Sequence, residues 1–531
     1  MVRLAGSVML LWGWKRAVLA ILAGAVAALA LPPVGFVAAL FVSFTLLIWL
    51  LDGATGGPDG GSFSGFGTSF FIGWCFGFGY FVAGLWWLGG ALLVEADEFA
   101  WALPLAVLVL PAVLALFYGL AAFLAKILWS DGWGRLAALA AGFGVVEWLR
   151  GFVATGFPWN AIGYGAMPVP LMMQSAHLVG IYGVSAIAVF VFSAPALIAT
   201  RRGMRTGLTL AALLACAHLG YGAYRLYGPQ PSQEGVQKVT MRLVQPNLDQ
   251  SEKMDNAARD AIFEDLLRLT ALPPEEGMPT PDIVVWPETS IPFILTENPD
   301  AFGRIAGVLQ KGQILIAGAV RSEDAAAGQA PRYYNSVYVI DDGGQILGAS
   351  DKVHLTPFGE YVPFESMLRR IGIESLISLP GGFSAAANRT MLELPSGLKF
   401  YPLICYEVIF PQEMKAGWQH ANAVLNITND AWFGITPGPY QHLQQARLRA
   451  VENGIPVIRD ANSGISAFID AYGRIKVGAP ISKKVIVDAT MSLLNVYELS
   501  NFGRKRNFWL IVLSFILLAA ISRKSFIKRI N

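Results

Sequence analysis

The sequence predicts a multi-pass transmembrane bundle of about eight helices, joined to a layered α/β domain outside the cytoplasm. Hydrophobic residues make up 54% of the 531 residues and charged residues only 14%. Together with a mean hydropathy of +0.50, this composition is typical of a membrane protein and not of a soluble globule. Residues 230–505 are the exception, because they are more polar and alternate strand-like with helix-like patterns.

Eight apolar segments approach the roughly 20 residues that a helix needs to span a bilayer. They lie at residues 17–31, 34–51, 65–88, 99–128, 134–150, 170–199, 207–227 and 507–522. We therefore expect a transmembrane domain of seven helices in residues 1–229, an α/β domain in 230–505, and a last transmembrane helix with a basic tail in 506–531. If the first segment is instead a signal peptide cleaved near Ala30, the later topology is unchanged.

The distribution of basic residues predicts the orientation, because short cytoplasmic loops carry an excess of Lys and Arg. Basic residues cluster before the first predicted span, around the fourth and sixth loops and at the C-terminus: Arg3, Lys15, Arg16, Lys126, Arg135, Arg201, Arg202, Arg205, Arg523, Lys524, Lys528 and Arg529. The second loop, Asp52 to Ser62, has no basic residue. Both termini are thus expected in the cytoplasm and the α/β domain on the opposite face. Arg504, Lys505 and Arg506 run against this pattern.

Composition also excludes several function classes. The net charge is only +2 and no long basic run appears, so we expect no nucleic-acid partner. The five His residues show no ligand spacing, which predicts neither a metal nor a cofactor. Two of the three Cys residues lie in membrane-type segments, so Cys405 is expected to be a free thiol in the α/β domain.

Short strands and a few helices alternate in residues 230–505, which predicts the layered α/β fold. The predicted strands are Val239–Gln245, Ile283–Trp286, Ile314–Val320, Ser336–Ile340, Phe400–Ile404, Ala423–Ile427, Val457–Asp460, Ala467–Asp470 and Val485–Asp488. The predicted helices are Asp255–Leu269, Pro299–Leu309 and Gln441–Asn453.

Three residues of this domain together suit acyl transfer. Cys405 ends an apolar run, Glu288 lies in Val-Val-Trp-Pro-Glu-Thr, and Lys352 lies in Asp-Lys-Val-His. A thiol is mostly protonated at neutral pH, so a carboxylate must remove its proton and a cation must favour the resulting anions. Taken singly, Cys405 also suits a core position, Glu288 a helix start and Lys352 a solvated surface.

These motifs resemble those of the carbon–nitrogen hydrolase (nitrilase) superfamily. Val-Val-Trp-Pro-Glu288-Thr, Lys352 followed by Pro-Phe-Gly-Glu360, and Ile-Cys405-Tyr-Glu407 occur in that superfamily's order, and residues 443–453 resemble the helix it carries after its cysteine. The resemblance implies an αββα sandwich with a Glu–Lys–Cys triad.

The whole chain more specifically resembles the bacterial apolipoprotein N-acyltransferases, a membrane family of this superfamily. Seven spans, a nitrilase-like domain and a final span form its layout, and Gly-Phe-Pro-Trp159-Asn and Asn-Asp-Ala-Trp432-Phe-Gly look like its motifs. One departure is Met254, where the family often has Trp.

The resemblance implies a two-step reaction in the bacterial inner membrane, with the catalytic domain on the periplasmic side. Cys405 would take a fatty acyl group from a phospholipid as a thioester and pass it to the N-terminal amine of an S-diacylglyceryl-cysteine apolipoprotein. Glu288 would act as base and Lys352 would stabilise the oxyanion. The alternatives are a membrane-anchored nitrilase-type amidase or hydrolase and a non-enzymatic lipoprotein-binding factor.

Six further residues are supporting or substrate-binding candidates: Glu360, Glu407, Tyr406, Phe358, Trp432 and Trp159. The two carboxylates would orient Lys352 or the thiol, although ordinary salt bridges would explain them equally well. The aromatic residues suit substrate contact, packing or an interfacial position. Residues 373–383 and 432–439 are apolar and bounded by glycines, so we expect them either to frame a lipid opening or to pack in the core.

Overall fold

The computed structural model of the chain describes residues 1–54, 65–94, 96–229, 236, 238–324, 331–363, 382–415, 417–493 and 501–530. It divides into two compact units. The helical unit comprises Met1–Gly89, Glu98–Gln230 and Glu498–Asn531. The α/β unit comprises Gly90–Asp97 and Pro231–Tyr497.

The helical unit confirms the predicted membrane bundle. Within the described residues, six helical segments are long and apolar enough to cross a bilayer: Gly13–Ala30, Phe66–Leu93, Ala96–Ile127, Ala176–Thr200, Met204–Tyr227 and Gly503–Lys524. The other two predicted spans also form helices, Ala38–Asp52 with 15 residues and Gly134–Arg150 with 17. Ala38–Asp52 is apolar but short, and Gly134–Arg150 is short and contains three charged residues. Both predicted spans are nevertheless helical.

The longer α-helices of this unit have the following bounds: Val2–Met9, Gly13–Ala27, Ala38–Asp52, Phe66–Leu85, Leu110–Ile127, Gly134–Arg150, Ala176–Ser193, Met204–Tyr227 and Asn501–Ile530. Helix Gly134–Arg150 carries a buried ion pair, with Arg150 Nη2 3.6 Å from Glu147 Oε2. Tyr118 donates a hydrogen bond of 2.6 Å to the other Glu147 oxygen. Intramembrane charges require such partners because lipid offers none.

The α/β unit contains two six-stranded sheets. In chain order its strands are β1 (Lys238–Gln245), β2 (Ile283–Trp286), β3 (Ile314–Glu323), β4 (Arg332–Ile340), β5 (Ile346–Asp351), β6 (Leu392–Glu393), β7 (Lys399–Pro402), β8 (Ala423–Thr428), β9 (Val457–Ala461), β10 (Ala467–Ile469), β11 (Ile475–Gly478) and β12 (Val485–Ser492). The strand orders are β12-β1-β2-β3-β4-β5 and β11-β10-β9-β8-β7-β6. In each sheet three central strands are parallel, β1-β2-β3 and β7-β8-β9.

Alternation along the strands explains how the layers pack. Ile283 and Val285 of β2 belong to the core between the two sheets, together with Phe400 and Leu425 of the second sheet. Val284 and Trp286 face the opposite way, as expected when successive side chains of a strand point to opposite faces.

Helices cover the outer faces of both sheets. Between residues 238 and 493, the described part of this unit has α-helices at Gln250–Met254, Arg259–Thr270, Pro299–Val308 and Pro437–Asn453. The second and third supply Phe263 and Ile305 to the core outside the first sheet. Helix Pro437–Asn453 packs on β9 of the second sheet. The predicted αββα sandwich is thus confirmed.

Candidate active site

The three proposed triad residues lie directly beyond strand ends. Glu288 follows β2, Lys352 follows β5 and Cys405 follows β7. Residues just beyond strand ends are held by the sheets but are free of the hydrogen-bond ladder, so their side chains can converge in one site. Glu288 and Lys352 are 6% and 1% exposed, whereas Cys405 is partly exposed. Cys405 is thus the least buried residue of the three.

A close backbone approach fixes Glu288. On the neighbouring strand β3, Gly318 accepts a hydrogen bond of 2.9 Å from the Ser290 N–H. A side chain at Gly318 would lie 2.7 Å from the Glu288 Cα atom. Glycine is needed here because any Cβ would collide with the backbone that carries the carboxylate.

Lys352 lies between two carboxylates. Its Nζ atom is 2.9 Å from Glu360 Oε2 and 3.4 Å from Glu288 Oε1. Burial opposes the charged form of Lys352, but Glu360 and Glu288 outweigh burial and raise its pKa well above the ordinary value. Lys352 is therefore a permanent cation at neutral pH, as oxyanion stabilisation requires.

Asn335 on β4 joins the same two carboxylates. Its Nδ2 atom donates 2.7 Å hydrogen bonds to Glu288 Oε1 and Glu360 Oε1. Glu360 is anchored further by the N–H of Thr356, 2.8 Å from Oε2. The structure thus brings Glu288, Lys352 and Glu360 together in one buried network. Glu360 contacts Lys352, as it would if it oriented the lysine.

Cys405 adopts a backbone conformation that is uncommon for a residue with a side chain. Its φ angle is +51°, at the start of the 3₁₀ turn Cys405–Ile409. Such strain clusters at functional sites, where the surrounding contacts hold it in place. Burial raises the pKa of the Cys405 thiol well above its ordinary value, Glu288 adds to this effect, and Lys352 opposes it. The Cys405 thiol is therefore neutral at rest and would need a base in order to act as a nucleophile.

Glu407 connects the cysteine turn to the lysine loop. Its Oε1 atom accepts hydrogen bonds from the N–H groups of Val353 (2.8 Å) and His354 (2.9 Å), and its Oε2 atom accepts one from Ile404 (2.7 Å). The buried Glu407 side chain also pairs with Arg389. The sequence suggested two roles for Glu407, orienting Lys352 or the thiol, and forming an ordinary salt bridge. Glu407 has a salt bridge to Arg389, and its other contacts hold the neighbours of both Lys352 and Cys405.

A second lysine, Lys253, lies beside Glu288. Its Nζ atom donates to the Glu288 carbonyl oxygen (3.3 Å) and to Thr289 Oγ1 (3.1 Å). Burial lowers the pKa of Lys253 to about 8, although the nearby Glu288 and Cys405 favour its charged form. Sequence reasoning treated its loop only as a departure at Met254, whose side chain lies outside the described residues.

The aromatic candidates have different surroundings. Phe358 is 47% exposed, and Trp432 is partly buried in the turn Asp430–Phe433. Tyr406 is buried and contacts Phe410 edge to face, at 5.0 Å between ring centroids. Trp159 belongs to the helical unit, where it is 2% exposed. Substrate contact by these residues stays a prediction.

Of the two segments expected near a lipid opening, the structure describes 432–439 in full and only the end of 373–383. Residues 373–383 fall almost entirely outside the described residues, which omit 364–381. In the segment 432–439, Ile435 is 76% exposed and Gly434 has a φ angle of +62°. An apolar side chain exposed to that degree does not belong to the core.

Sequence reasoning missed several polar residues of the site, because each acts through a partner distant in the chain. They are Lys253, Asn335, Arg389, Thr428, Asp430, His442 and Arg459. One usable signal was a polar residue that borders an apolar strand run, as with Asn335 on β4 and Arg459 on β9. Such a residue must find a buried partner.

Known proteins resemble both parts of the chain. The family model of the carbon-nitrogen hydrolases matches residues 240–500, and that of the apolipoprotein N-acyltransferase N-terminal domain matches residues 23–194. Among solved structures, Saccharomyces cerevisiae Nit3, a member of branch 10 of the nitrilase superfamily, matches with 21% identity and a TM-score of 0.35, covering 50% of this chain and 93% of its own.

Full-length relatives are much more similar. An apolipoprotein N-acyltransferase from Allorhizobium ampelinum is 64% identical, and one from Agrobacterium fabrum is 63% identical, each covering 100% of both chains. Since relatives of this identity align from end to end, over the helical bundle and the α/β sandwich alike, the chain belongs to the apolipoprotein N-acyltransferase family.

Proposed function

We propose that this inner-membrane enzyme transfers a fatty acyl group from a phospholipid, through a thioester on Cys405, to the N-terminal amine of an S-diacylglyceryl-cysteine apolipoprotein. Membership of the family supports N-acylation of lipoproteins. The observation that carries the proposed route is the grouping of the Cys405 thiol with the charges of Glu288 and Lys352.

In the first half-reaction Glu288 removes the thiol proton and the sulfur attacks an ester carbonyl of the phospholipid. The cationic Lys352 stabilises the tetrahedral oxyanion. As this intermediate collapses, Glu288 returns the proton to the departing alkoxide oxygen, and a lysophospholipid is released. The thioester remains on Cys405. Burial raises the pKa of the thiol and so disfavours the thiolate, which is why this step needs a base.

In the second half-reaction the α-amine of the lipoprotein attacks the thioester carbonyl. With an ordinary pKa near 7.7 to 8.0, an appreciable fraction of such amines is uncharged at neutral pH. Glu288 accepts the proton that the amine loses as the amide forms and passes it to the departing sulfur, so that Cys405 leaves as the thiol and the carboxylate is regenerated. The two half-reactions therefore use the same base and the same oxyanion site in turn.

Both substrates keep acyl chains in the bilayer, so the site must open toward lipid. We place the α/β unit on the periplasmic side and both termini in the cytoplasm, in agreement with the distribution of Lys and Arg. The exposed Ile435 and Phe358 are suited to contact lipid.

The test is mass spectrometry of the purified enzyme after mixing with phospholipid and no acceptor. Cys405 should gain one fatty acyl group in a bond that hydroxylamine cleaves. Glu288→Gln should slow this acylation strongly, and Cys405→Ser should gain no thioester. A diacylated lipopeptide, added next, should become N-acylated while the thiol returns.

Two outcomes would contradict the proposal. An acyl group on another residue, or none during turnover, would exclude the thioester route. Release of free fatty acid in place of N-acylated peptide would indicate a hydrolase.

A further inference from the structure

We propose that Thr428 is a positioning residue whose hydroxyl moves its hydrogen bond from Asp430 to the sulfur of Cys405 as the thiolate forms. Thr428 is the last residue of β8 and is fully buried. Its Oγ1 atom lies 3.1 Å from Cys405 Sγ and 3.1 Å from Asp430 Oδ1. One hydroxyl proton therefore faces two acceptors.

Asp430 can only accept hydrogen bonds, because it is ionised. Its Oδ2 atom accepts from Arg459 Nη2 at 2.7 Å, and its Oδ1 atom lies 2.8 Å from His442 Nδ1. Burial disfavours the charged carboxylate, but Arg459 and His442 outweigh burial and lower the pKa of Asp430 to about 2. The Thr428 hydroxyl can therefore donate its one proton either to the permanently ionised carboxylate of Asp430 or to the sulfur of Cys405.

The acceptor to which Thr428 donates determines the direction of the Cys405 S–H proton. When Thr428 donates to Asp430, its oxygen accepts the S–H proton, which then faces away from the base. When Thr428 donates to the sulfur, the S–H proton is free to face Glu288. Asp430 keeps its two other partners in that state.

The second arrangement also stabilises the product of deprotonation. The S–H bond breaks, an O–H bond forms on Glu288, and the sulfur keeps the electron pair. The Thr428 hydroxyl donates to that pair without losing its proton. Hydrogen bonds to charged groups are stronger than neutral ones, so this donation favours the thiolate. The charged groups that face the sulfur are Glu288, Lys352, Lys253 and Asp430.

This inference refines the proposed function, on which it rests for the role of Cys405, but its test does not require lipid. The rate of Cys405 alkylation by iodoacetamide is measured against pH for wild type, Thr428→Val and Thr428→Ser. Peptide mass spectrometry separates Cys405 from Cys75 and Cys216. Valine keeps the shape of threonine without the hydroxyl, and serine keeps the hydroxyl without the methyl group.

Alkylation of Thr428→Val should be about tenfold slower at a given pH below the midpoint, because a hydrogen bond to a charged group is lost. Thr428→Ser should follow the wild-type profile. The role of the hydroxyl would be overturned if Thr428→Val and wild type had the same pH profile of alkylation. It would also be overturned if the profile of Thr428→Ser were shifted like that of Thr428→Val. If valine impairs folding, Thr428→Ala and Thr428→Ser are compared in the same way.

A parallel mixture of wild type with phospholipid separates the two proposals. A wild-type enzyme that is alkylated with the expected dependence on Thr428 but never acylated by phospholipid would refute the proposed function. The assignment of Thr428 would stand in that case.

Discussion

Arg389 and Glu407 form a buried ion pair between the segment before β6 and the cysteine turn, with Nη2 2.9 Å from Oε1. The arginine and the carboxylate are 5% and 0% exposed. Burial opposes the charge of Arg389, but Glu407 outweighs it and raises the pKa of the guanidinium. The same carboxylate accepts the N–H groups of Val353 and Ile404. One ion pair therefore holds the neighbours of two proposed catalytic residues in place.

Glu407→Gln should destabilise the enzyme markedly. Breaking a buried pair costs about 3 to 5 kcal/mol where the remaining charge is left uncompensated. Arg389 keeps a second carboxylate partner, Glu413 at 2.9 Å, so we expect a loss at the low end of this range. We expect a lower apparent melting temperature in detergent and slower acylation of Cys405. The matched control is Glu393→Gln, which breaks the exposed pair of Glu393 with Lys399 and should change stability by less than about 1 kcal/mol. Equal melting temperatures for the two variants would contradict the role given to Glu407.

Lys352→Met should affect activity and stability separately. Loss of the cation should slow acylation by about 10² to 10³, and the unpaired Glu288 and Glu360 should lower the melting temperature. In the double variant Lys352→Met with Glu360→Gln, stability should partly return because one of the stranded charges is gone. Activity should not return.

Lys352→Arg completes the series. A planar guanidinium does not reproduce the compact charge of an ammonium group, so little activity should be recovered. Full activity of the double variant in single-turnover acylation would exclude Lys352 as the oxyanion group. Full activity of Lys352→Arg would show that the site does not require the compact ammonium group.

Much of the fold was predictable from periodicity. The bounds of β2 agree with the prediction, and helix Pro299–Val308 differs by one residue. Strands β5 and β11 were missed because their exposed residues do not alternate with buried ones. β6 has only two residues, Leu392 and Glu393. Such short or exposed strands are formed by pairing with neighbours, which local sequence does not reveal.

The site was predictable only where its motifs are contiguous. Glu288, Lys352 and Cys405 could be identified because each stands in a recognisable motif of the chain. Asn335 and Arg389 could not, since their partners are 25 and 47 residues away in one case and 18 and 24 in the other. A hydrogen bond between distant residues depends on the paired sheets, which exist only in the folded protein.

Lys253 should impose an alkaline limit on acylation. Burial lowers the pKa of Lys253 to about 8, so its charge is present below that pH and is lost above it. The charge faces Glu288 and Cys405 and favours the thiolate while it is present. Single-turnover acylation should therefore decline as the pH rises through about 8.

Lys253→Met should be slower near pH 7 and should lack this alkaline decline. The control Lys311→Met changes an exposed lysine and should keep the wild-type profile. A decline of the same size and midpoint in Lys253→Met would show that another group causes it.

Ile435 should matter for a bilayer substrate and not for a soluble one. Its side chain is 76% exposed and follows the positive-φ Gly434, beside the partly buried Trp432. An aspartate at an exposed position should not disturb the core, but it resists insertion into lipid. Ile435→Asp should therefore turn over phospholipid in vesicles far more slowly than wild type, and should accept the acyl group of a short-chain, water-soluble ester at the normal rate. The control Val477→Asp alters another exposed apolar residue, 40% accessible on β11, and should leave both rates unchanged. Equal loss of both substrates in Ile435→Asp, with a lower melting temperature, would mean that Ile435 stabilises the fold and does not contact lipid.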